Sequence, residues 1–245
     1  MRPCGPPFSP RGRWTQVPPT ATQTQLRLAF SRWGRPERLR VDNGAPWGTR
    51  GDLPTDLELW LLGVAVGVTP NPPRRPQKNG VVERSQGTGK RWGEPWTCDA
   101  PEDLQVRFNL LDDIQRREYP SIDGRSRWES FPGLVHSGRS YSAEWEEAEW
   151  DLSPVASALG GYAVPRRADA TGTISIYNRR HYIGTINKRK MVYVMFDPET
   201  YDWLIADEEG RQLSRQPATH INRMDIRNLT VSLRDTRTVS ARMRT

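Results

Sequence analysis

The chain reads as an α/β first half followed by a small all-β domain. Three observations carry that reading. Up to Glu118, short strand patterns alternate with apolar residues recurring at three and four positions, the signature of helices. From Thr173, four short apolar runs follow at even spacing (TISIY, RHYIGTI, KMVYVMFD, DWLIA), and such strands suggest a small barrel. Between these halves, residues 121–170 are polar and irregular and read as a linker.

The elements follow in order. Residues 1–11 form a Pro-rich start, in which Pro3, Pro6, Pro7 and Pro10 exclude a central strand. Arg13 to Val17 reads as a short strand stopped by Pro18-Pro19. Leu26, Ala29, Phe30 and Trp33 mark a helix over Thr20 to Trp33, ended by Gly34. Arg38 to Val41 is a strand running into the turn Asp42-Asn43-Gly44. Leu57 to Leu62 is a helix with Thr55 as N-cap, and Val64 to Thr69 is a buried strand. A Pro- and Arg-rich loop leads into a helix from Asn79 to about Trp92, and a fourth helix from Asp99, its cap, to Glu118. In the barrel, residues 171–215, Gln212-Leu213 begin a fifth strand; residues 216–245 are a basic tail without a sustained period, expected to be mobile.

Composition removes several classes. Leu57 to Val68, the longest apolar stretch, is broken by Glu58 and Gly63 and too short to span a bilayer. MRPCGPPFSPRGRW has no apolar run of a secretory signal. Cys4 and Cys98 make no disulfide framework, and His136, His181 and His220 have no ligand spacing, so a reducing cytoplasm is the expected setting. Leu, Ile, Val and Phe are about a fifth of the chain, near the limit for disorder, while ten Trp demand a core or a stacking partner. The net charge is +7, with eight Arg against Glu37 in residues 1–41 and eight Arg against Asp225 and Asp235 in residues 211–245. The middle is acidic, so the two basic ends are the expected contacts for a polyanion.

Two carboxylates stand out. Asp42, in RLRVDNGAPWG, ends a strand; Glu83, in PQKNGVVERSQGTGKRW, lies near the start of a helix. Carboxylates at the ends of separate elements can converge on hard cations such as Mg²⁺. Residues Asn79, Gly87 and Lys90 share the helix face of Glu83. The rival motif Gly87-Thr88-Gly89-Lys90 fails as a phosphate loop, because Arg84 and Arg91 stand where Gly and Ser or Thr are needed.

These residues resemble the catalytic core of DDE transposases and retroviral-type integrases, most of all bacterial insertion-sequence transposases. The matching pieces are VDNG, Trp60-Leu61, PQKNGVVER and Ser137-Gly138-Arg139-Ser140-Tyr141, and the resemblance covers roughly residues 12–215. It implies an RNase H-like core, here a partial one over residues 12–120, followed by an SH3-like barrel that binds DNA. It implies that Asp42 and Glu83 are the second and third acidic residues of the catalytic triad and ligands of Mg²⁺ or Mn²⁺. It adds Gln77, Asn79 and Lys90 as DNA contacts. On the barrel, Arg179, Arg180 and Lys188, with His181, Arg189 and Lys190 beside them, lie on turns and strand starts suited to phosphate contact. Tyr177, Tyr182 and Tyr193 are expected mainly in the core. DNA is the partner the resemblance implies, with homo-oligomers usual and a bacterial, nucleoid-associated location.

The family's first Asp has no counterpart, since residues 1–41 contain no Asp. The resemblance therefore implies a core incomplete at its N-terminus, marginal folding of the first half and very weak strand transfer. Three functions follow: a metal-dependent strand-transfer enzyme, a DNA-binding remnant or regulator of a full-length transposase, and an interaction module built on the barrel.

Overall fold

A computed structural model describes residues 17–47, 52–72 and 80–233. Its elements run α1 (Pro19–Trp33), β1 (Arg38–Val41), α2 (Asp56–Gly63), β2 (Gly67–Pro70), α3 (Gly80–Gly93), α4 (Pro101–Arg117), α5 (Arg127–Ser130), α6 (Ala143–Glu149) and α7 (Ser153–Gly160). There follow β3 (Ala163–Arg167), β4 (Thr173–Ile176), β5 (Arg179–Tyr182), β6 (Met191–Asp197), β7 (Asp202–Ala206), β8 (Gln212–Pro217) and α8 (Arg223–Arg227). No helix among the described residues is long and apolar enough to cross a membrane. The chain divides into two compact units.

One unit holds Ala29–Arg35 and the described part of Asn71–Ser140. It is helical and thinly cored: among its described residues Phe30 is the one fully buried apolar side chain. Aromatic and cationic contacts do the joining. Trp33 lies between the guanidiniums of Arg32 and Arg116, 4.9 and 4.4 Å from its ring centroid. Arg117 covers Trp128 at 4.1 Å, and Trp92 meets Tyr119 edge to face at 5.3 Å. Phe108 of α4 packs against Gly93 of α3, where any larger side chain would collide with its ring. Asp103 accepts the Ala100 N–H at 3.2 Å, so Ala100 rather than the expected Asp99 is the N-cap of α4.

The other unit holds Val17–Leu28, the described part of Pro36–Pro70, and the described part of Tyr141–Thr245. Strands β1 and β2 pair in parallel, Arg38 opposite Gly67 and Val41 opposite Pro70. The expected buried strand from Val64 starts later, because Val64 and Ala65 complete the turn that leaves α2. Thr55 caps α2 in a reciprocal box: Glu58 N–H donates to Thr55 Oγ1 and Thr55 N–H to Glu58 Oε2. Leu57, Leu59, Trp60 and Leu61 are all 0% exposed, and Glu58 and Leu62, four residues apart, leave one partly open stripe on this helix. Its last residue must be Gly63, because the Trp150 indole occupies the space a Cβ would need.

A four-stranded antiparallel sheet, ordered β3-β6-β7-β8, and the β4-β5 hairpin make up the β region. In β6, residues Val192, Val194 and Phe196 alternate into the core beside Trp203 and Ile205 of β7. The expected strands appear, and β3 precedes them within a stretch expected to be a linker. Residues 121–170 in fact carry α5, α6, α7 and β3. The stretch from 216, expected as a tail, includes the end of β8 and α8, with Ile226 and Val231 both 0% exposed. Residues 234–245 lie outside the described residues, as do 1–16 with the expected Pro-rich start and most of the Arg13 to Val17 strand.

The acidic run in that supposed linker hides its central charge. Glu146 is 2% exposed. Its carboxylate accepts hydrogen bonds from Arg27 Nε at 2.9 Å and Nη2 at 2.7 Å, Trp60 Nε1 at 3.0 Å, Arg227 Nε at 3.4 Å, and the Tyr141 hydroxyl. Burial alone would raise its pKa; the donors from Arg27, Tyr141 and Trp60 outweigh that and bring it to about 2. The folded pKa is thus below the unfolded one, so this stabilisation is present above the usual carboxylate value of 4.5 and is lost as pH falls toward 2. Glu146→Ala removes the acceptor shared by Arg27, Trp60, Tyr141 and Arg227 and is expected to cost about 2–4 kcal/mol in denaturant unfolding, with a flatter acid-unfolding profile than the wild type. A cost under about 1 kcal/mol, a surface-pair value, would contradict this burial.

Candidate nucleic-acid interface

The basic residues expected to meet phosphate fall on the β4-β5 hairpin and the turn leading into β6. Two residues with positive φ, Tyr177 at 47° and Asn178 at 61°, close the hairpin. Asn suits that conformation and Tyr does not, and Tyr177 is held there from outside the turn. Its hydroxyl donates to the Pro54 carbonyl at 2.7 Å, and its ring meets those of Trp203 and His220. Asn178 Nδ2 donates to the Ser232 carbonyl. The hairpin turn is therefore anchored, and Arg179 behind it is half-buried with its Nε enclosed. Burial lowers the His220 pKa to about 4, with the nearby charges of Arg179 and His181 adding to it, so the ring is neutral at pH 7. Arg179 thus faces the interior histidines in part.

The turn before β6 is different. Gly172 has φ +77°, and a Cβ there would collide with the Gly184 carbonyl, so two backbones cross where only glycine fits. Asn187, buried, donates to the Ile183 carbonyl at 2.7 Å and fixes the turn from inside. Lys188, Arg189 and Lys190 all emerge exposed from it. The Arg189 N–H donates to the Ala168 and Asp169 carbonyls at 3.1 and 3.3 Å. Arg167 Nε donates to the Arg189 carbonyl at 3.2 Å. These backbone ties bring the end of β3 beside the turn.

Asp169 completes the edge. It accepts from Thr171 N–H and Oγ1 and from Thr173 N–H, and Arg180 pairs with it at 2.9 Å. The Thr171 hydroxyl, followed by the backbone donors, lowers the Asp169 pKa. Arg180 and Asp169 are both exposed, so a phosphate can compete for Arg180 at little cost. Arg167, Arg180, Lys188, Arg189 and Lys190 thereby form one basic edge with a single carboxylate tied into it. The reading from sequence missed Arg167; the Arg166-Arg167 pair was the available signal, obscured because β3 lay in the supposed linker. Tyr182 and Tyr193, expected mainly in the core, are 59% and 38% exposed because they stand at outward-facing positions of β5 and β6, whereas Tyr177 is a packing residue, as expected.

The expected metal ligands lie elsewhere. Asp42 directly follows β1 and is exposed, with Oδ1 accepting the Gly44 N–H at 3.1 Å. Glu83 is exposed in the first turn of α3, and Lys90 is exposed in its last turn. Asp42 belongs to the unit with the sheets, Glu83 and Lys90 to the helical one. Gln77 and Asn79 lie outside the described residues. Both carboxylates are oxygen donors of the kind Mg²⁺ takes. Among the described residues, however, no three or more His, Cys, Asp or Glu gather as a metal centre would require. No known protein-family model matches the chain.

For duplex DNA, the log–log slope of affinity against salt reports the phosphates neutralised. Replacing Lys188, Arg189 and Lys190 together by Ala is expected to make that slope shallower by roughly two to three units. An unchanged slope would remove this edge from the interface.

Proposed function

We propose that this chain is a transposase- or integrase-like protein of DNA integration that engages DNA phosphates through its β-region edge. The observation that carries the reading is the basic edge itself: five exposed cations, from the end of β3, β5 and the turn before β6, set beside one carboxylate. The VDNG and PQKNGVVER resemblance supplies the class of DNA transaction. In this reading β1, α2 and β2 belong to an RNase H-like core, and β3 to β8 form the SH3-like barrel. The C-terminal end of a parallel strand, where Asp42 stands, is a usual place for a functional side chain in α/β folds. Asp42 and Glu83 would be the ligands of Mg²⁺ or Mn²⁺, which would supply charge neutralisation at the DNA phosphates. Homo-oligomers on the element ends complete the proposal.

A second reading is DNA binding without strand transfer, as a remnant or regulator of a full-length transposase. The sequence favours it, because residues 1–41 contain no Asp to serve as the first acid of the triad. One titration separates the two. Under the first, millimolar Mn²⁺ is expected to raise duplex affinity by roughly threefold or more in the wild type, and the gain disappears in Asp42→Asn and Glu83→Gln. Under the second, duplex binding persists and Mn²⁺ changes all three alike. Absence of duplex binding by the full chain would overturn both.

A further inference from the structure

The helical unit contains a second feature of a different kind, a cleft of about 740 Å³. One wall is α3. Arg84, Thr88 and Arg91 recur on it at four and three residues, and so form a single stripe. The other wall is the chain that leaves α4, which brings Tyr119, Arg127 and Phe131 to the same space. Trp92 joins the walls through its edge-to-face contact with Tyr119.

Two properties of this cleft need an explanation. Arg84, Arg91 and Arg127 are exposed, no carboxylate lines the cleft, and none of the three has an ion-pair partner among the described residues. Three guanidiniums gathered on one rim repel each other, and they are left with their forked donors free for a bidentate anion. Tyr119 and Phe131, meanwhile, are 47% and 50% exposed, which leaves large ring faces in water between those charges. A ligand that satisfies both carries anions and flat rings in alternation. A nucleic-acid strand does so only when its bases are unstacked, since a duplex keeps its ring faces inside.

We propose that this cleft binds an unpaired DNA strand, with Arg84, Arg91 and Arg127 on its phosphates and Tyr119 and Phe131 stacked on its bases. The site is separate from the basic edge of the β region and takes a different form of DNA. Glu83 neighbours Arg84 in sequence, so its side chain stands about 100° around α3 from the cleft stripe. A strand in the cleft therefore runs beside the Glu83 face of the same helix.

Fluorescence anisotropy with the full chain tests this, using labelled oligothymidylate of about twelve nucleotides and a mixed-sequence duplex of equal length. The triple variant Arg84→Ala, Arg91→Ala, Arg127→Ala is expected to lose roughly tenfold or more in single-strand affinity. Phe131→Ala is expected to lose about fivefold for the single strand and less than about twofold for the duplex. All four side chains are exposed, and an unchanged far-UV spectrum and melting temperature confirm that each variant is folded. Single-strand affinity unchanged in both variants overturns the proposal. Equal losses for single strand and duplex in Phe131→Ala also overturn it, because stacking on an unpaired base would then be absent. Cleft-dependent single-strand binding by a chain that ignores duplex would sustain this site while overturning the basic edge.

Discussion

The buried carboxylate of Glu146 is the constraint on which the sheet-bearing unit depends. A charge taken out of water is tolerated only when donors surround it, and a partly satisfied buried charge is worse than none. Here the donors come from α1 (Arg27), α2 (Trp60), the segment before α6 (Tyr141) and α8 (Arg227). Each of those segments donates to this one group. The Arg27 guanidinium, half-buried, also lies 5.3 Å from the buried Trp60 ring centroid, so one cation serves both ring and anion. From it, α2 is held with Gly63 against Trp150, and Asp56 at the head of α2 accepts from the Ser232 N–H and hydroxyl. The far end of the described chain is thereby fastened to the start of α2.

The two units contrast in how they are stabilised. The sheet-bearing unit has an ordinary apolar core in Leu57, Leu61, Val194, Trp203 and Ile205, with the Glu146 cluster at one end. The helical unit has little of this and relies on Arg–Trp and Trp–Tyr contacts, each worth about 0.5–1.5 kcal/mol. Exposed Val106 and Leu110 on α4 further reduce what it buries. Such a unit opens locally at low free energy, which suits a surface that accommodates a strand rather than one that carries the fold.

Much of the backbone was legible from the sequence because its signals are local. The apolar period of α1, Thr55 as the cap of α2 and the apolar run that becomes β6 are each read within a few residues. The stretch 121–170 was not, and the reason is physical. The helices α5 and α6 are one or two turns long, too short to show a period. The run Glu144 to Asp151 looks solvated, yet Glu146 is interior because its partners other than Tyr141 sit 81 to 119 residues away. No local pattern reports a charge that is paired at that distance. The same limit applies to the site. Lys188, Arg189 and Lys190 were visible as a basic turn, whereas the enclosure of Arg179 depends on Tyr177, which is held by Pro54. Arg84 and Arg91 were visible only as residues that spoil a phosphate loop; their cleft needs Tyr119 and Phe131 from beyond α4.

The basic edge and the cleft give this chain two chemically different surfaces for DNA, one suited to a phosphate backbone and one to exposed bases. Of these, the edge carries the functional reading. Hydrogen–deuterium exchange of the full chain, with and without a DNA duplex, tests it most directly. Slowed exchange is expected at the end of β3 and over residues 185–191, with the core strand β7 unchanged. Duplex binding that leaves those amides unprotected, and protects another surface instead, would contradict it.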